Sequence, residues 1–237
     1  MQLYRPELKQ LPVSYCALIP AAGSGQRAAA GAPKQYAALC GRPMLWHAVR
    51  AVCVPPVQTV FVVLAPGDNT FAEYDWSAFD GRLEPLYCGG ETRRDSVYNG
   101  LVAATAAMDT DDWVLVHDAA RPCLPAGDLE KLLREARNDE VGGILALPVA
   151  ETVKTGVNGR IESTADRSRL WLAQTPQMFR AGLLMQALQR AKHVTDEAAA
   201  VEQLGLKPRL VPGSRENLKV TWPEDLAIAQ GILERRA

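Results

Sequence analysis

Short apolar runs rich in β-branched residues recur along the chain and are nearly free of polar alternation. That pattern is typical of a sheet buried on both faces, because a strand with one solvated face alternates apolar and polar residues. It predicts strands over residues 13–19, 59–65, 83–88, 113–117, 141–147 and 208–211.

Helical periodicity fills the intervals between these runs. Two intervals each place four apolar residues on one helical face: Leu45, Ala48, Val49 and Val52 in the first, and Leu129, Leu132, Leu133 and Ala136 in the second. Strands that alternate with helices predict an α/β fold with a mostly parallel sheet and helices on both faces.

The composition is that of an ordinary globular protein. Hydrophobic residues make up 48% of the 237 residues and charged residues 22%, which excludes a disordered chain and suits one domain over residues 1–237. The 26 basic and 27 acidic residues give a net charge of -1. Bulk charge therefore gives no reason to expect nucleic acid or a membrane as a partner.

The five cysteines are widely spread and form no C-x-x-C pair. They are predicted to be small core residues in a reducing compartment, because neither a disulfide framework nor a metal site has that spacing. The N-terminal residues lack the pattern of a signal peptide, and no apolar run approaches the ~18 residues of a membrane span. We therefore expect a cytoplasmic protein.

Residues 148–172 interrupt the alternation of strands and helices. Asn158 and Gly159 lie between two partly alternating runs, which indicates a two-residue hairpin turn. An isolated two-stranded ribbon is marginally stable in water, so such a β-arm generally packs against something else. An ordinary surface hairpin is the alternative, but a second copy of the chain is the natural partner, and we expect a homodimer.

The residues after the first predicted strand, PAAGSGQRAAAGAPKQY, combine small side chains with positive charge. Their start fits the dinucleotide pattern G-x-G-x-x-G/A, which would indicate an oxidoreductase. That motif opens directly into a helix and is followed by an acidic residue about 20 positions later. Here Gly31 and Pro33 end any such helix, and no Asp or Glu occurs between Glu7 and Asp68. The oxidoreductase interpretation is disfavoured.

Small residues also allow the backbone of this loop to approach a ligand closely. Gly23 and Gly25 permit positive φ, so successive N–H groups can form an anion-binding nest, to which Arg27 and Lys34 would add full positive charges. The G-K-[S/T] sequence of a Walker loop is absent. The loop is predicted to surround several phosphates, and a flexible Ala/Gly surface connection is the alternative.

The same loop resembles the signature loop of the sugar and polyol nucleotidyltransferases, in particular of the 2-C-methyl-D-erythritol 4-phosphate cytidylyltransferase family of the non-mevalonate isoprenoid pathway. Six further blocks match that family in order: GGETRRDSVYNGL, VLVHDAARP, PVAETVKT, QTPQMF, TDEAAAVEQLG and NLKVTWPEDLAIAQ. The resemblance implies a Rossmann-like nucleotidyltransferase domain whose protruding β-arm makes a homodimer. It also implies CTP and a polyol phosphate as substrates, Mg²⁺ as the cofactor and release of pyrophosphate.

The resemblance assigns Arg27 and Lys34 to stabilising the transition state, in which a phosphate oxygen attacks the α-phosphorus of CTP. It implies a cytosine pocket lined by Ala21, Ala22, Gly90, Glu91 and Ser96. Glu91 stands where the family often has Asp. From the residues alone, the favoured role of Ser96 is to cap the following helix.

Asp118 and Arg121 follow the buried strand at the start of VLVHDAARP. Ligands of open α/β sheets collect outside the carboxyl ends of the strands, so both residues are expected at the substrate site. Asp118 is the expected Mg²⁺ ligand, since Mg²⁺ takes one or two carboxylates and most other ligands from substrate phosphates. A structural ion pair between Asp118 and Arg121 is the alternative.

For the second substrate, the resemblance points to Arg167 and Lys219 as the cations that position the methylerythritol phosphate, with Thr152 and Thr195 as nearby hydroxyls. Arg167 and Thr152 lie on the predicted arm. If the arm crosses to a partner, each active site is shared between two subunits.

Two alternatives to this activity stay open at the level of the sequence. A ribitol 5-phosphate cytidylyltransferase would share most of the blocks and differ in its polyol pocket. A non-catalytic, CTP-binding regulatory protein is the other, although the presence of all four assigned cations, Arg27, Lys34, Arg167 and Lys219, favours an enzyme.

Overall fold

The computed structural model describes residues 13–23, 33–79 and 81–236. The described strands are β1 (Tyr15–Pro20), β2 (Ala38–Leu39), β3 (Arg42–Pro43), β4 (Thr59–Val63), β5 (Leu83–Leu86), β6 (Trp113–Val116), β7 (Gly143–Pro148), β8 (Val153–Val157), β9 (Arg160–Ala165), β10 (Trp171–Arg180) and β11 (Arg209–Pro212). The described α-helices are α1 (Met44–Val52), α2 (Arg93–Ala104), α3 (Ala126–Ala136), α4 (Ala181–Arg190), α5 (Glu197–Glu202) and α6 (Pro223–Glu234).

Seven of these strands form one sheet in the order β11, β7, β10, β6, β1, β4, β5. Strand β1 lies at the centre of a parallel group, with Leu18 paired to Phe61 of β4 on one side and to Val116 of β6 on the other. Strand β10 runs antiparallel to both β6 and β7, and β11 is parallel to β7. The predicted mostly parallel α/β sheet is confirmed.

Alternation along each strand divides the core into two layers. Ala17 and Ile19 of β1 belong to a cluster that includes the buried sides of α1 and α3, whereas Leu18 belongs to a cluster that α2 and α4 complete. The apolar faces predicted for α1 and α3 are both buried. Helices therefore cover both faces of the sheet, as predicted.

Strand β10 is an element that the sequence patterns did not predict. Its sequence, WLAQTPQMFR, contains a proline and several polar residues, so it lacks the pattern of a buried strand. In the fold, Gln174, Thr175 and Gln177 are buried and make hydrogen bonds, and the pairing with β7 is irregular between Ala173 and Gln177. Hydrogen bonds to other parts of the fold thus allow this polar segment to be a central strand.

The predicted hairpin is present as a separate two-stranded sheet of β8 and β9. Asn158 and Gly159 form its turn with φ of 52° and 75°, the left-handed conformation of a type I′ turn. The hairpin is shorter than the predicted arm, because Trp171 pairs with Pro148 in the main sheet. Ile161, near the turn, is 72% exposed.

The cysteines are free thiols, and Cys16, Cys53 and Cys123 are buried as predicted. The prediction is wrong for Cys40, which is exposed in the turn between β2 and β3. Within the described ranges, no helix has the length and apolar character needed to cross a bilayer.

Candidate nucleotide and phosphate site

Residues from distant parts of the chain meet at the carboxyl ends of β1 and β6. Ala21 and Gly23 extend β1, Asp118 follows β6, and these three line one cleft together with Lys34 and Lys219. Of the predicted phosphate loop, Gly25 and Arg27 lie outside the described residues. Sequence positions predicted for the triphosphate and for the second substrate therefore converge on a single edge of the sheet.

Both ends of the phosphate loop are tied to this edge. Ala21 donates its N–H to the carbonyl of Val63 at 2.8 Å, and Gln35 donates its Nε2 to the carbonyl of Ala21 at 2.7 Å. Lys34 begins a short 3-10 helix, Lys34–Tyr36, and donates its Nζ to the carbonyl of Val220. The ammonium of Lys34 is thus held beside the chain segment that carries Lys219.

The segment after β5 packs against the start of the phosphate loop, at Ala22. Gly89 donates its N–H to the carbonyl of Leu64 at 2.8 Å, and a Cβ on Gly89 would lie 2.2 Å from the Cβ of Ala22. Only glycine allows this approach of the two backbones. Ala22 and Gly90, which are both predicted to line the cytosine pocket, thereby lie at the same end of the sheet.

Ser96 does not cap α2. Thr92 is the N-cap residue, and its side chain accepts a hydrogen bond from the N–H of Asp95. The buried Oγ of Ser96 instead accepts from the N–H of Gly90 at 3.1 Å and donates to the carbonyl of Thr92 at 3.0 Å. Ser96 therefore holds the shape of the turn at Gly90, and the neighbouring Glu91 is exposed.

Asp118 is the electrostatic centre of the site. Arg93 places its Nε 3.0 Å from Oδ1 of Asp118, and Lys219 places its Nζ 2.8 Å from Oδ2. Arg121, the predicted partner, is farther away, with Nε 3.7 Å from Oδ2. The ion pair with Arg121, which was the alternative at the level of the sequence, is therefore the longest of the three contacts.

The surrounding cations keep this carboxylate ionised. Burial by itself raises the pKa of Asp118, but Arg93 and Lys219 outweigh it and hold the pKa below its ordinary value. Burial likewise opposes the charge of Arg93, yet the carboxylates of Glu197 and Asp118 raise the pKa of its guanidinium. Asp118 is thus a buried anion at the border of a cleft whose other charged side chains, among those described, are cations.

Arg121 organises the backbone around the site. It is buried, and it donates to the carbonyl of Asn217 at 2.6 Å and to the carbonyl of Ala173 at 3.3 Å. These contacts join the loop after β6 to β10 and to the segment that leads to Lys219. Arg121 therefore determines where that segment lies.

His117 is neutral and structural. Thr175 accepts a hydrogen bond from the N–H of Asp118 at 2.9 Å, so its hydroxyl proton is directed to Nδ1 of His117, 3.1 Å away. The imidazole then carries its proton on Nε2 and donates it to the carbonyl of Arg121 at 3.0 Å. Complete burial lowers the pKa of His117 to about 4.

Asp118 also lines a second cleft, together with Arg93, Arg121 and the exposed Thr195. The structure thus brings Thr195 to the site. It does not bring in Arg167 or Thr152, which are exposed on the arm side, where Arg167 donates to the carbonyl of Ala150. Among the described contacts, none joins either arm residue to the Asp118 cluster.

Two residues of the site were not predicted: Arg93 and Glu197. Both lie in blocks that carry the family resemblance, but a charged residue in a helical segment looks like part of a solvated face. Glu197 is completely buried, and its carboxylate accepts two hydrogen bonds from Arg93. No Lys or Arg lies within four residues of Glu197 in the sequence, so no local signal indicated this pairing.

The described residues contain no group of three or more His, Cys, Asp or Glu side chains arranged to hold a metal ion. Asp118 is a single ionised carboxylate that faces a cleft. A single carboxylate fits a Mg²⁺ site only where substrate phosphates and water supply most of the ligands.

The family model for 2-C-methyl-D-erythritol 4-phosphate cytidylyltransferase matches residues 15–235 of the chain. The chain belongs to this family. It is 54% identical to the 2-C-methyl-D-erythritol 4-phosphate cytidylyltransferase of Dechloromonas aromatica (strain RCB) over 222 residues, which is 93% of this chain and 97% of that protein. The predicted family is confirmed, and with it the assignment to the cytidylyltransferases, which are transferase enzymes.

Solved structures of the family have the same fold. A crystal structure of 4-diphosphocytidyl-2C-methyl-D-erythritol synthase aligns with a TM-score of 0.84 at 40% identity, covering 94% of this chain and all of that one. The 2-C-methyl-D-erythritol 4-phosphate cytidylyltransferase of Francisella tularensis aligns with a TM-score of 0.79 at 36% identity, covering 92% and 99%. The Rossmann-like nucleotidyltransferase fold is confirmed.

Proposed function

We propose that this member of the family transfers the cytidylyl group of CTP to 2-C-methyl-D-erythritol 4-phosphate and releases pyrophosphate. The observation that carries the proposal is the shared cleft of Lys34, Asp118 and Lys219 at the carboxyl edge of the parallel sheet. It supports a reaction between two phosphate groups, because cations and one ionised carboxylate are available there to bind and orient negatively charged substrates.

The chemistry needs little from the protein except position and charge. A phosphomonoester has a second pKa of about 6, so the attacking phosphate is a dianion at neutral pH and requires no general base. Its oxygen attacks the α-phosphorus in line, and the bond to pyrophosphate breaks as negative charge accumulates on the leaving group. Lys34 and Arg27 are proposed to stabilise that charge. The neutral, buried His117 takes no part in the proton balance.

The cytosine base is proposed to lie against Ala21, Ala22, Gly90, Glu91 and Ser96. Support comes from the close approach of Ala22 to the glycine turn and from the hydrogen bond that fixes Gly90 on Ser96. A fixed turn presents backbone N–H and C=O groups in constant positions, which suits the recognition of a base edge. Gly23 and Gly25 are proposed to provide N–H groups to the triphosphate.

The methylerythritol phosphate is proposed to bind between Lys219 and Thr195, with Arg121 holding the surrounding backbone. Lys219 is 47% exposed at its side chain, so its ammonium is accessible to a phosphate while it contacts Asp118. Arg167 and Thr152 are proposed to act on the active site of a second subunit. This assignment requires a homodimer formed through the arm, where apolar side chains such as Ile161 are exposed.

Mg²⁺ is proposed to be held by Asp118 together with oxygens of the triphosphate. A bound Mg²⁺ would supply charge neutralisation and would orient the phosphates. The ligand that the protein provides is the ionised carboxylate of Asp118. Its lowered pKa keeps it available as an oxygen ligand at neutral pH.

We propose that residues 1–237 form one nucleotidyltransferase domain, supported by the single sheet that joins strands from β1 to β11. We also propose a cytoplasmic location, supported by the free thiols of Cys16, Cys53 and Cys123, which the fold uses as core residues.

The activity is tested by incubating the purified chain with CTP, Mg²⁺ and 2-C-methyl-D-erythritol 4-phosphate and following pyrophosphate. A parallel reaction contains ribitol 5-phosphate, and a third contains no polyol phosphate. The expected result is pyrophosphate release that depends on the methylerythritol phosphate. Release with ribitol 5-phosphate alone would move the assignment to the other polyol, and binding of CTP without release would indicate a regulatory protein.

A further inference from the structure

We propose that Glu197 is a positioning residue of the active site, which acts through Arg93 to fix Asp118 and thereby Lys219. The inference rests on the proposed function and deepens it. Glu197 is the first residue of α5, and it is completely buried. Its two carboxylate oxygens accept hydrogen bonds from Nη1 and Nη2 of Arg93 at 2.6 and 3.0 Å.

The guanidinium of Arg93 joins two carboxylates that lie far apart in the sequence. One edge faces Glu197, and Nε and Nη2 lie 3.0 and 2.9 Å from Oδ1 of Asp118. A guanidinium is planar, so contacts on two edges determine both its position and its orientation. Arg93 therefore contacts only one oxygen of Asp118 and leaves Oδ2 to Lys219, 2.8 Å away.

The position of Glu197 is itself determined by the central antiparallel strand. Gln177 of β10 accepts a hydrogen bond from the N–H of Ala198 at 2.8 Å and donates to Oδ2 of Asp196 at 2.9 Å. Gln177 is buried, and the two residues that it contacts flank Glu197 on both sides. The carboxylate that orients Arg93 is thus connected to the sheet that carries the site.

Stability alone is a weak reason for this arrangement. A buried ion pair costs so much desolvation that an apolar replacement of similar volume is often equally stable. The pairing of Glu197 with Arg93 does account for the geometry at the substrate cleft. Because Glu197 holds one edge of the guanidinium, Arg93 cannot rotate to bind both oxygens of Asp118. If that happened, Arg93 would compete with Lys219 for Oδ2.

The first test is Glu197→Gln, which keeps the shape of the side chain and removes its charge. The amide NH2 group cannot accept from Arg93, so at least one of the two hydrogen bonds is lost. We expect kcat/KM for the methylerythritol phosphate to fall roughly 10- to 100-fold, by analogy with the loss of a hydrogen-bond partner that orients a metal ligand. KM for CTP should change little. Glu202→Gln, on the exposed side of the same helix, is the matched control and should behave as wild type.

A double-mutant cycle separates positioning from a general loss of stability. If Glu197 acts through Arg93, adding Glu197→Gln to an Arg93→Gln variant should lower kcat/KM no further. The conservative Glu197→Asp, which retains the charge, should recover part of the activity lost in Glu197→Gln. Independent, multiplying effects of the two substitutions, or a normal kcat/KM in Glu197→Gln, would overturn the proposal.

A readout without substrate keeps this test separate from the proposed function. The Nε–H of Arg93 should give a protected NMR resonance in the wild-type protein and in Glu202→Gln, and should lose that protection in Glu197→Gln. If Glu197→Gln does not fold, Glu197→Asp should show the same resonance with reduced protection. An unchanged resonance would overturn the positioning role even in an active enzyme. A wild-type protein that releases no pyrophosphate would refute the proposed function instead, and the resonance would still decide whether Glu197 positions Arg93.

Discussion

Gly89 and Ala22 approach each other so closely that a Cβ on Gly89 would lie 2.2 Å from the Cβ of Ala22. The carbonyl oxygen of Leu64 would lie 2.9 Å from the same Cβ. Neither obstacle is the end of a flexible side chain, so a substitution here has to move backbone. The contact joins the start of the phosphate loop to the turn that is proposed to bind cytosine.

Gly89→Ala is therefore expected to destabilise the protein by roughly 1–3 kcal/mol, the usual cost of inserting an atom into a packed site, and to weaken CTP binding. Urea denaturation and calorimetric titration with CTP measure the two effects. Gly127→Ala is the control, because nothing lies within 4 Å of its added Cβ, in α3. That variant should gain about 0.5 kcal/mol. Equal stability of the Gly89→Ala variant and the wild-type protein would contradict the packing argument.

Lys34→Ala is expected to lower turnover by roughly 10²-fold or more, on the scale of one preorganised electrostatic contact. Steady-state release of pyrophosphate measures this change, and circular dichroism checks that the fold is retained. Lys131→Ala is the matched control, since Lys131 also donates its Nζ to a backbone carbonyl, that of Pro212, at 3.0 Å, but lies on α3, away from the site. A near-normal rate for Lys34→Ala would refute its assigned role.

Ile161→Glu is expected to prevent dimer formation if the arm mediates it, because a carboxylate would replace an apolar side chain that is 72% exposed in the single chain. Sedimentation velocity should show a dimer for the wild type and a monomer for the variant. Activity should also disappear, since Arg167 and Thr152 would no longer reach a partner's site. Val102→Glu makes the same change at a 45% exposed valine of α2 and should stay dimeric. A wild-type chain that is fully active as a monomer in a dilution series would exclude the shared site.

His47, together with the completely buried His117, makes the stability of the fold depend on pH. Burial lowers the pKa of His47 below the ordinary value of 6.5, so the folded protein holds the neutral imidazole while the unfolded chain takes up a proton near that pH. The contribution to stability is therefore complete above pH 6.5 and is lost as the pH falls below it. The free energy of unfolding should decrease between about pH 7.5 and 5.5.

His47→Gln should reduce that decrease, because an amide can still donate to the carbonyl of Leu39, which Nε2 of His47 contacts at 2.7 Å, but does not titrate. Urea denaturation at several pH values gives the slope. His193→Gln, at an exposed position, is expected to leave the slope as it is in the wild type. The same slope in His47→Gln and wild type would show that other groups cause the pH dependence.

The strands show which parts of the fold sequence patterns can predict. Apart from Thr59 at the start of β4, strands β1, β4 and β6 consist of apolar residues, and burial on two faces requires that composition wherever such a strand lies in a sheet. The hairpin turn at Asn158 and Gly159 is equally local, since both residues need positive φ. Strand β10 is different, because its polar residues become compatible with a central position only through partners elsewhere in the chain.

The candidate site divides in the same way. Lys34, Asp118 and Lys219 were predicted from motifs, and their convergence follows from the rule that ligands collect at the carboxyl ends of parallel strands. The bond between Arg93 and Glu197 was not predicted, since the charge of a residue says nothing about which distant charge will face it.

By itself, the sequence determined the α/β class, the hairpin and the family, because hydrophobic periodicity, turn residues and ordered motifs are properties of neighbouring residues. Only the tertiary structure decided that β10 lies between β6 and β7, that Ser96 holds Gly90 instead of capping α2, and that Asp118 is shared by Arg93 and Lys219. The physical reason is that burial and charge pairing depend on distances through space. Those distances exist only once the sheet has brought remote segments together.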